Sequence, residues 1–160
     1  MTLSHLGSAI AIGTGATLLM DLWNVFLKRA FGIASLNYCM LGRWVRHMPR
    51  TLMHQSIAAA QARPYECATG WAAHYTIGIS LAVAFVLLMP GWLARPALAP
   101  ALLYGLATVV FPFLVLQPSL GLGIASARAA NPTQARLKSL GTHLVFGIGM
   151  YLLAVILNAR

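Results

Sequence analysis

Acidic side chains are almost missing: 160 residues contain only Asp21 and Glu66, against eleven Lys and Arg. No two carboxylates stand where they could share general acid and base work. Phosphate-binding and nucleophile motifs are missing too, with no P-loop, no G-x-G-x-x-G after a strand and no G-x-S-x-G elbow. Nucleotide enzymes and hydrolases are not expected. Cysteine is nearly absent as well. Cys39 and Cys67 form neither a C-x-x-C motif nor a zinc-finger spacing and read as reduced thiols without a role. What the chain has in quantity is apolar surface: 59% of residues are hydrophobic, 8% are charged and mean hydropathy is +0.76. That composition belongs to a membrane protein.

Four stretches, about 3–27, 70–89, 97–117 and 140–157, each supply the roughly 20 apolar residues that a hydrocarbon core of about 30 Å requires. They must be helices, because backbone groups facing lipid need partners within their own segment. The expected fold is an all-α membrane protein with four transmembrane helices in a single integral membrane domain, 1–160. A net charge of +9 would suggest nucleic acid in a soluble protein, but its distribution follows topology instead. Lys28, Arg29, Arg43, Arg46, Arg50, Arg63, Arg128, Arg136 and Lys138 occupy the loops 28–69 and 118–139, leaving Arg95 and Arg160 for the other side. The positive-inside rule puts those two loops in the cytoplasm and both termini in the periplasm of a bacterial inner membrane. The first residues carry no Lys or Arg and the apolar run is about twice a signal-peptide h-region, so the first helix is expected to stay.

Offsetting the chain by 91 residues aligns Ala16-Thr17 with Ala107-Thr108 and Gly32-Ile33-Ala34-Ser35 with Gly123-Ile124-Ala125-Ser126. His74-x-x-x-Gly78-Ile79 likewise answers His143-x-x-x-Gly147-Ile148. The four helices therefore read as two tandem hairpins of the same orientation. In the first loop, Ser35 as N-cap and Pro49 as a stop bracket a helix. Leu36, Met40, Leu41, Trp44, Val45 and Met48 fall on one face, with Asn37, Arg43, Arg46 and His47 on the other. It is an amphipathic helix lying in the interface, with Arg43, Trp44, Arg46 and Arg50 against lipid, or a lid packed over the bundle. Pro64 and Asn131-Pro132 read as helix starts, and Glu66 suits the positive end of a helix.

Met20-Asp21-Leu22-Trp23, Ser35-Leu36-Asn37-Tyr38, Gly42-Arg43-Trp44, Gly70-Trp71 with His74-Tyr75, and Asn131-Pro132 followed by Arg136, Ser139-Leu140, His143 and Phe146-Gly147 together carry a resemblance. Across essentially the whole chain the sequence resembles a bacterial integral-membrane family known as domain of unknown function 2938. The resemblance implies a small multi-helix inner-membrane protein and brings no catalytic residues.

Asp21 lies six residues past the middle of the first span, or ~9 Å toward the cytoplasmic side at the rise of an α-helix. His74 and His143 precede the middles of their spans by about as much, and the third span ends in Gln117-Pro118 after Pro112, a residue that frees a backbone carbonyl. An ionisable group at this depth is a functional candidate by default. Asp21, His74, His143 and Gln117 thus form an expected polar layer with three readings. It could be a packing device, helped by close approach at Gly7, Ala11 and Gly15. It could be a path or site for a proton or small solute. It could also be a metal site, with Asp21, His74 and His143 as the two-histidine, one-carboxylate set suited to iron or zinc. The expectation adopted is a non-enzymatic protein that binds or passes a proton or small solute, with a structural or partner-binding subunit as the alternative and a metal-dependent enzyme third. No cofactor is called for. The expected partners are membrane lipids and a homo-oligomer or membrane partner protein, since four helices leave little room for an enclosed path.

Overall fold

The computed structural model describes residues 3–158, whose regular elements are all helices, with no strand among them. Helix α1 spans Leu3–Phe31, α2 Tyr38–His47, α3 Glu66–Leu88 and α4 Leu98–Ala107; a π-type segment, Pro112–Leu116, leads into the short α5, Gln117–Ser119, and α6 spans Pro132–Asn158. Four helical stretches, Leu3–Phe31, Glu66–Leu88, Leu98–Ser119 and Pro132–Asn158, are long and apolar enough to cross a membrane. α6 starts at Pro132 as read, whereas α3 starts at Glu66 and not at Pro64; both helices extend beyond their apolar cores. Glu66 reaches back to accept the Arg63 amide at 2.9 Å, and Asn131 Oδ1 accepts from the Gln134 amide at 3.0 Å. The second contact satisfies a donor that the first turn of α6 leaves unpaired, and the first ties the segment ahead of α3 to the start of that helix.

Packing divides the chain into two compact units, each discontinuous in sequence. The first comprises 1–35, 75–108 and 141–160. Within it α1 runs antiparallel to both the 75–88 part of α3 and the 141–158 part of α6, because small residues let the backbones touch. A Cβ on Gly13 would lie 2.6 Å from Ile79 Cα, and one on Gly149 would lie 2.8 Å from Ala16 Cα. The buried face of α1 is Ala9, Ile12, Gly13, Ala16, Thr17, Asn24 and Leu27. Of Gly7, Ala11 and Gly15 only Gly15 serves a close approach, where a Cβ would lie 2.7 Å from Leu153 Cγ; Gly7 and Ala11 are exposed, and a Cβ on Gly7 would meet nothing. The correction is one of rotation about the helix axis, which equal four-residue spacings cannot distinguish. Ile12, Ala16, Ala82, Phe85, Trp92, Ala101, Phe146, Met150 and Ala154 form the core of this unit. Leu18, Leu22, Val25 and Phe26 remain outward on α1. Apolar residues left exposed beside a small-residue contact face are the arrangement expected where lipid is the solvent.

The second unit comprises 36–74 and 109–140. Its core is Leu41, Trp44, Ile57 and Leu120. Two sequence expectations are corrected here. Asn37, not Ser35, caps α2, its side chain accepting the Cys39 amide at 2.9 Å. Cys39 and Cys67 are not separate thiols but a disulfide, with Cα atoms 3.9 Å apart. The reason is a helix crossing that no local spacing encodes. Cys39-x-x-Gly42 on α2 meets Cys67-x-x-Gly70 on α3, where Gly42 lies against the Glu66 carbonyl and Gly70 against the Tyr38 carbonyl.

Candidate functional site

Two polar pairs tie the helices of the first unit together. Tyr75 on α3 donates its hydroxyl to Asp21 Oδ2 on α1 at 3.0 Å. Thr108, just past α4, has its hydroxyl 2.7 Å from His143 Nδ1 on α6 and 2.6 Å from the Gly105 carbonyl. The Thr108 hydroxyl can accept from Nδ1–H or donate to a bare Nδ1, and which of the two it does follows the tautomer of the ring.

The register of α1 on α6 fixes the level of these groups. Ala16 lies against Gly149, and the Trp23 ring lies 4.0 Å from the place a Gly141 Cβ would take. Antiparallel helices in that register set Asp21 level with His143. Beside them lie three buried polar atoms with no hydrogen-bond partner: Trp23 Nε1 and Asn24 Oδ1 on α1, and Thr142 Oγ1 on α6. Asn24 and Thr142 are each 8% exposed. Buried polar groups are paired in the great majority of cases, so these three atoms, at about one level along α1 and α6, are an exception. Sequence reasoning missed Tyr75, Thr108, Asn24 and Thr142, and only the neighbours of Asp21 and the two histidines in sequence could have hinted at three of them.

His74 belongs to the second unit, where its ring stacks on Tyr38 with centroids 4.2 Å apart, and Trp71 lies edge-on at 6.1 Å. Gln117 also belongs there: its Nε2 donates to Ser139 Oγ at 3.2 Å, while its buried Oε1 has no partner. Among the described residues, no three His, Cys, Asp or Glu side chains come together in a way that could hold a metal ion.

The basic residues of α2 divide by function. Arg43 is turned into the protein, where Nε and Nη2 donate to the two Glu66 oxygens at 2.9 and 2.7 Å. Nη1 reaches the carbonyls of Ala58 and Ala60 at 3.1 Å each and of Ile57 at 3.4 Å. A planar fork of five donors suits this task, and the Glu66 carboxylate holds the guanidinium pKa above its ordinary value. Trp44 is buried and donates to the Leu52 carbonyl at 2.8 Å. The expectation that Arg43 and Trp44 face lipid is thus corrected, because the apolar side of α2 is covered by Ile57 and Leu120. Arg46 and Arg50 do stay exposed, next to exposed Met48, Leu52 and Met53.

The fold and these buried polar pairs define an all-helical protein of the multi-pass membrane class. The chain matches the family described as a protein of unknown function, DUF2938, over residues 10–157 and belongs to that family. No curated protein and no solved structure matches it.

Proposed function

We propose that this is a bacterial inner-membrane protein with both termini periplasmic and its two basic loops cytoplasmic, which binds or passes a proton or small polar solute without catalysing a reaction. The observation that carries this reading is the set of unpartnered buried atoms on Trp23, Asn24 and Thr142, at the level of Asp21 and His143. A hydrogen-bonding solute supplies both the acceptor that Trp23 lacks and the donor that Asn24 lacks. Asp21 and His143 supply groups able to exchange protons. A conducting path through so small a bundle needs a second copy of the chain. Arg46 and Arg50, with Met48, Leu52 and Met53 beside them, are the surface offered to anionic lipid headgroups.

Reconstitution into vesicles carrying a pH-sensitive dye tests the reading. Asp21→Asn and Asn24→Leu should abolish the flux or solute binding of the native chain while leaving thermal unfolding in detergent nearly unchanged. Flux equal to that of empty vesicles in the native chain, or unaltered flux in both variants, would remove it.

A structural or partner-binding subunit is the second reading. It is favoured by the Tyr75–Asp21 and Thr108–His143 bonds, each of which joins two helices. On that reading Asp21→Asn lowers stability, and no flux exists to be lost.

A further inference from the structure

The disulfide lies where a permanent one is not expected. On the orientation proposed above, Cys39 and Cys67 are on the cytoplasmic side, where persistent disulfides are rare and those that form are mostly transient, catalytic or redox-sensing. The two sulfurs differ in surroundings. Cys67 is exposed and Cys39 is half-buried; each lies in the first turn of a helix, Cys67 in α3 directly after the Glu66 carboxylate and Cys39 in α2 with Arg43 one turn further along the same face. The helix N-termini favour a thiolate at both positions, so the difference between them comes from the guanidinium near Cys39 and the carboxylate beside Cys67.

We propose that Cys39 and Cys67 form a thiol–disulfide exchange site for low-molecular-weight thiols of the cytoplasm, so that redox state decides whether α2 is covalently pinned to α3. The choice of thiol pool rests on the proposed orientation; the exchange itself does not. The incoming thiolate attacks Cys67 Sγ, the accessible sulfur. The Cys39–Cys67 bond breaks, and its electron pair leaves on Cys39 Sγ, the sulfur better placed to carry negative charge. Cys67 is now in a mixed disulfide with the small thiol. A second small thiolate attacks the small-thiol sulfur of that bond and releases Cys67 as a thiolate. Two small thiols have become one small disulfide, the protein pair has gained two electrons, and the two protons of the small thiols end on Cys39 and Cys67. The small disulfide drives the reverse reaction. In the reduced form Arg43 and Glu66 still connect α2 to the start of α3, so reduction loosens this crossing without detaching the helix.

The test uses the full chain, purified in detergent and exposed without denaturant to defined mixtures of reduced and oxidised glutathione. The reaction is quenched with acid and the free thiols are tagged with a polymer-linked maleimide that shifts the band on a gel. The expected result is a reversible one-step conversion between oxidised and doubly tagged protein. Mass spectrometry should find the glutathione adduct on Cys67, accumulating in Cys39→Ser. A bond that yields only after unfolding, adducts that favour Cys39, or cysteines tagged at every glutathione ratio would each overturn the proposal. A sidedness reporter fused to the C-terminus separates the two readings. If it places the basic loops outside the cytoplasm, the orientation fails and with it the cytoplasmic thiol pool as partner, even where exchange proceeds in the tube.

Discussion

Gly13 offers the cleanest measurement of how the first unit is held together. A Cβ placed there would lie 2.6 Å from Ile79 Cα, 3.0 Å from Ala82 Cβ and 3.1 Å from the Gly78 carbonyl. Since ordinary contact begins at 3.4 Å, Gly13→Ala requires α1 and α3 to separate by about 0.8 Å, the difference between 3.4 and 2.6. The obstacle is mainly backbone, so no side-chain rotation relieves it. One turn on, fully buried Thr17 loses contact with Gly78, and two turns on the 3.0 Å Tyr75–Asp21 bond is stretched. Overpacking of this kind costs ~1–3 kcal/mol. Alanine also favours a helix over glycine by about 1 kcal/mol, which offsets part of that cost. Gly7→Ala removes the ambiguity, because it carries the same propensity gain on the same helix while its Cβ meets nothing within 4 Å. The two variants should therefore differ by the overpacking cost alone, ~1–3 kcal/mol with Gly13→Ala the weaker. Thermal unfolding in one detergent, read as the fraction of protein surviving heating, gives the comparison. Equal stability of the two variants would refute the close α1–α3 contact and with it the register that places Tyr75 on Asp21.

Other substitutions separate buried contacts from bystanders. Thr108→Val deprives His143 Nδ1 of its hydrogen-bond partner and should cost ~1–3 kcal/mol, whereas Thr14→Val, an exposed threonine bonded only to its own helix, should stay within about 0.5 kcal/mol of the parent; equal unfolding of the two would disprove the pairing. Arg43→Met releases the carbonyls of Ile57, Ala58 and Ala60, so the Ala59 and Ala60 amides should exchange hydrogen faster, with Arg43→Lys restoring only part of the protection. Unchanged exchange would mean that the turn holds itself. Trp44→Phe keeps the ring but loses the bond to Leu52 and should destabilise by ~0.5–1.5 kcal/mol in chemical denaturation. A neutral result would place Trp44 outward after all.

How much was legible depended on dimension. Spans, helix starts and the level of polar groups are one-dimensional properties, set by hydropathy, proline and distance along a helix; Pro132 begins its helix as read, while the start read at Pro64 falls two residues later, at Glu66. Rotation and crossing are not of that kind. The four-residue series Gly7-Ala11-Gly15 and Ala9-Gly13-Thr17 have equal spacing, and only the partner helices select between them. Arg43 and Trp44 have the pattern of an interfacial helix because an apolar stripe looks the same whether lipid or Leu120 covers it.

By itself the sequence determined that this chain belongs in a membrane, has four spans, and carries Asp21 and His143 at comparable depth, because burial of apolar length in lipid overrides every other term. The tertiary structure alone decided that Tyr75 and Thr108 are the partners of Asp21 and His143. It alone decided that Arg43 belongs to Glu66 and that Cys39 and Cys67 are joined. Each of these contacts joins segments distant in the chain, where glycine and alanine let helices meet at backbone distance and only the packed register says which side chains face each other.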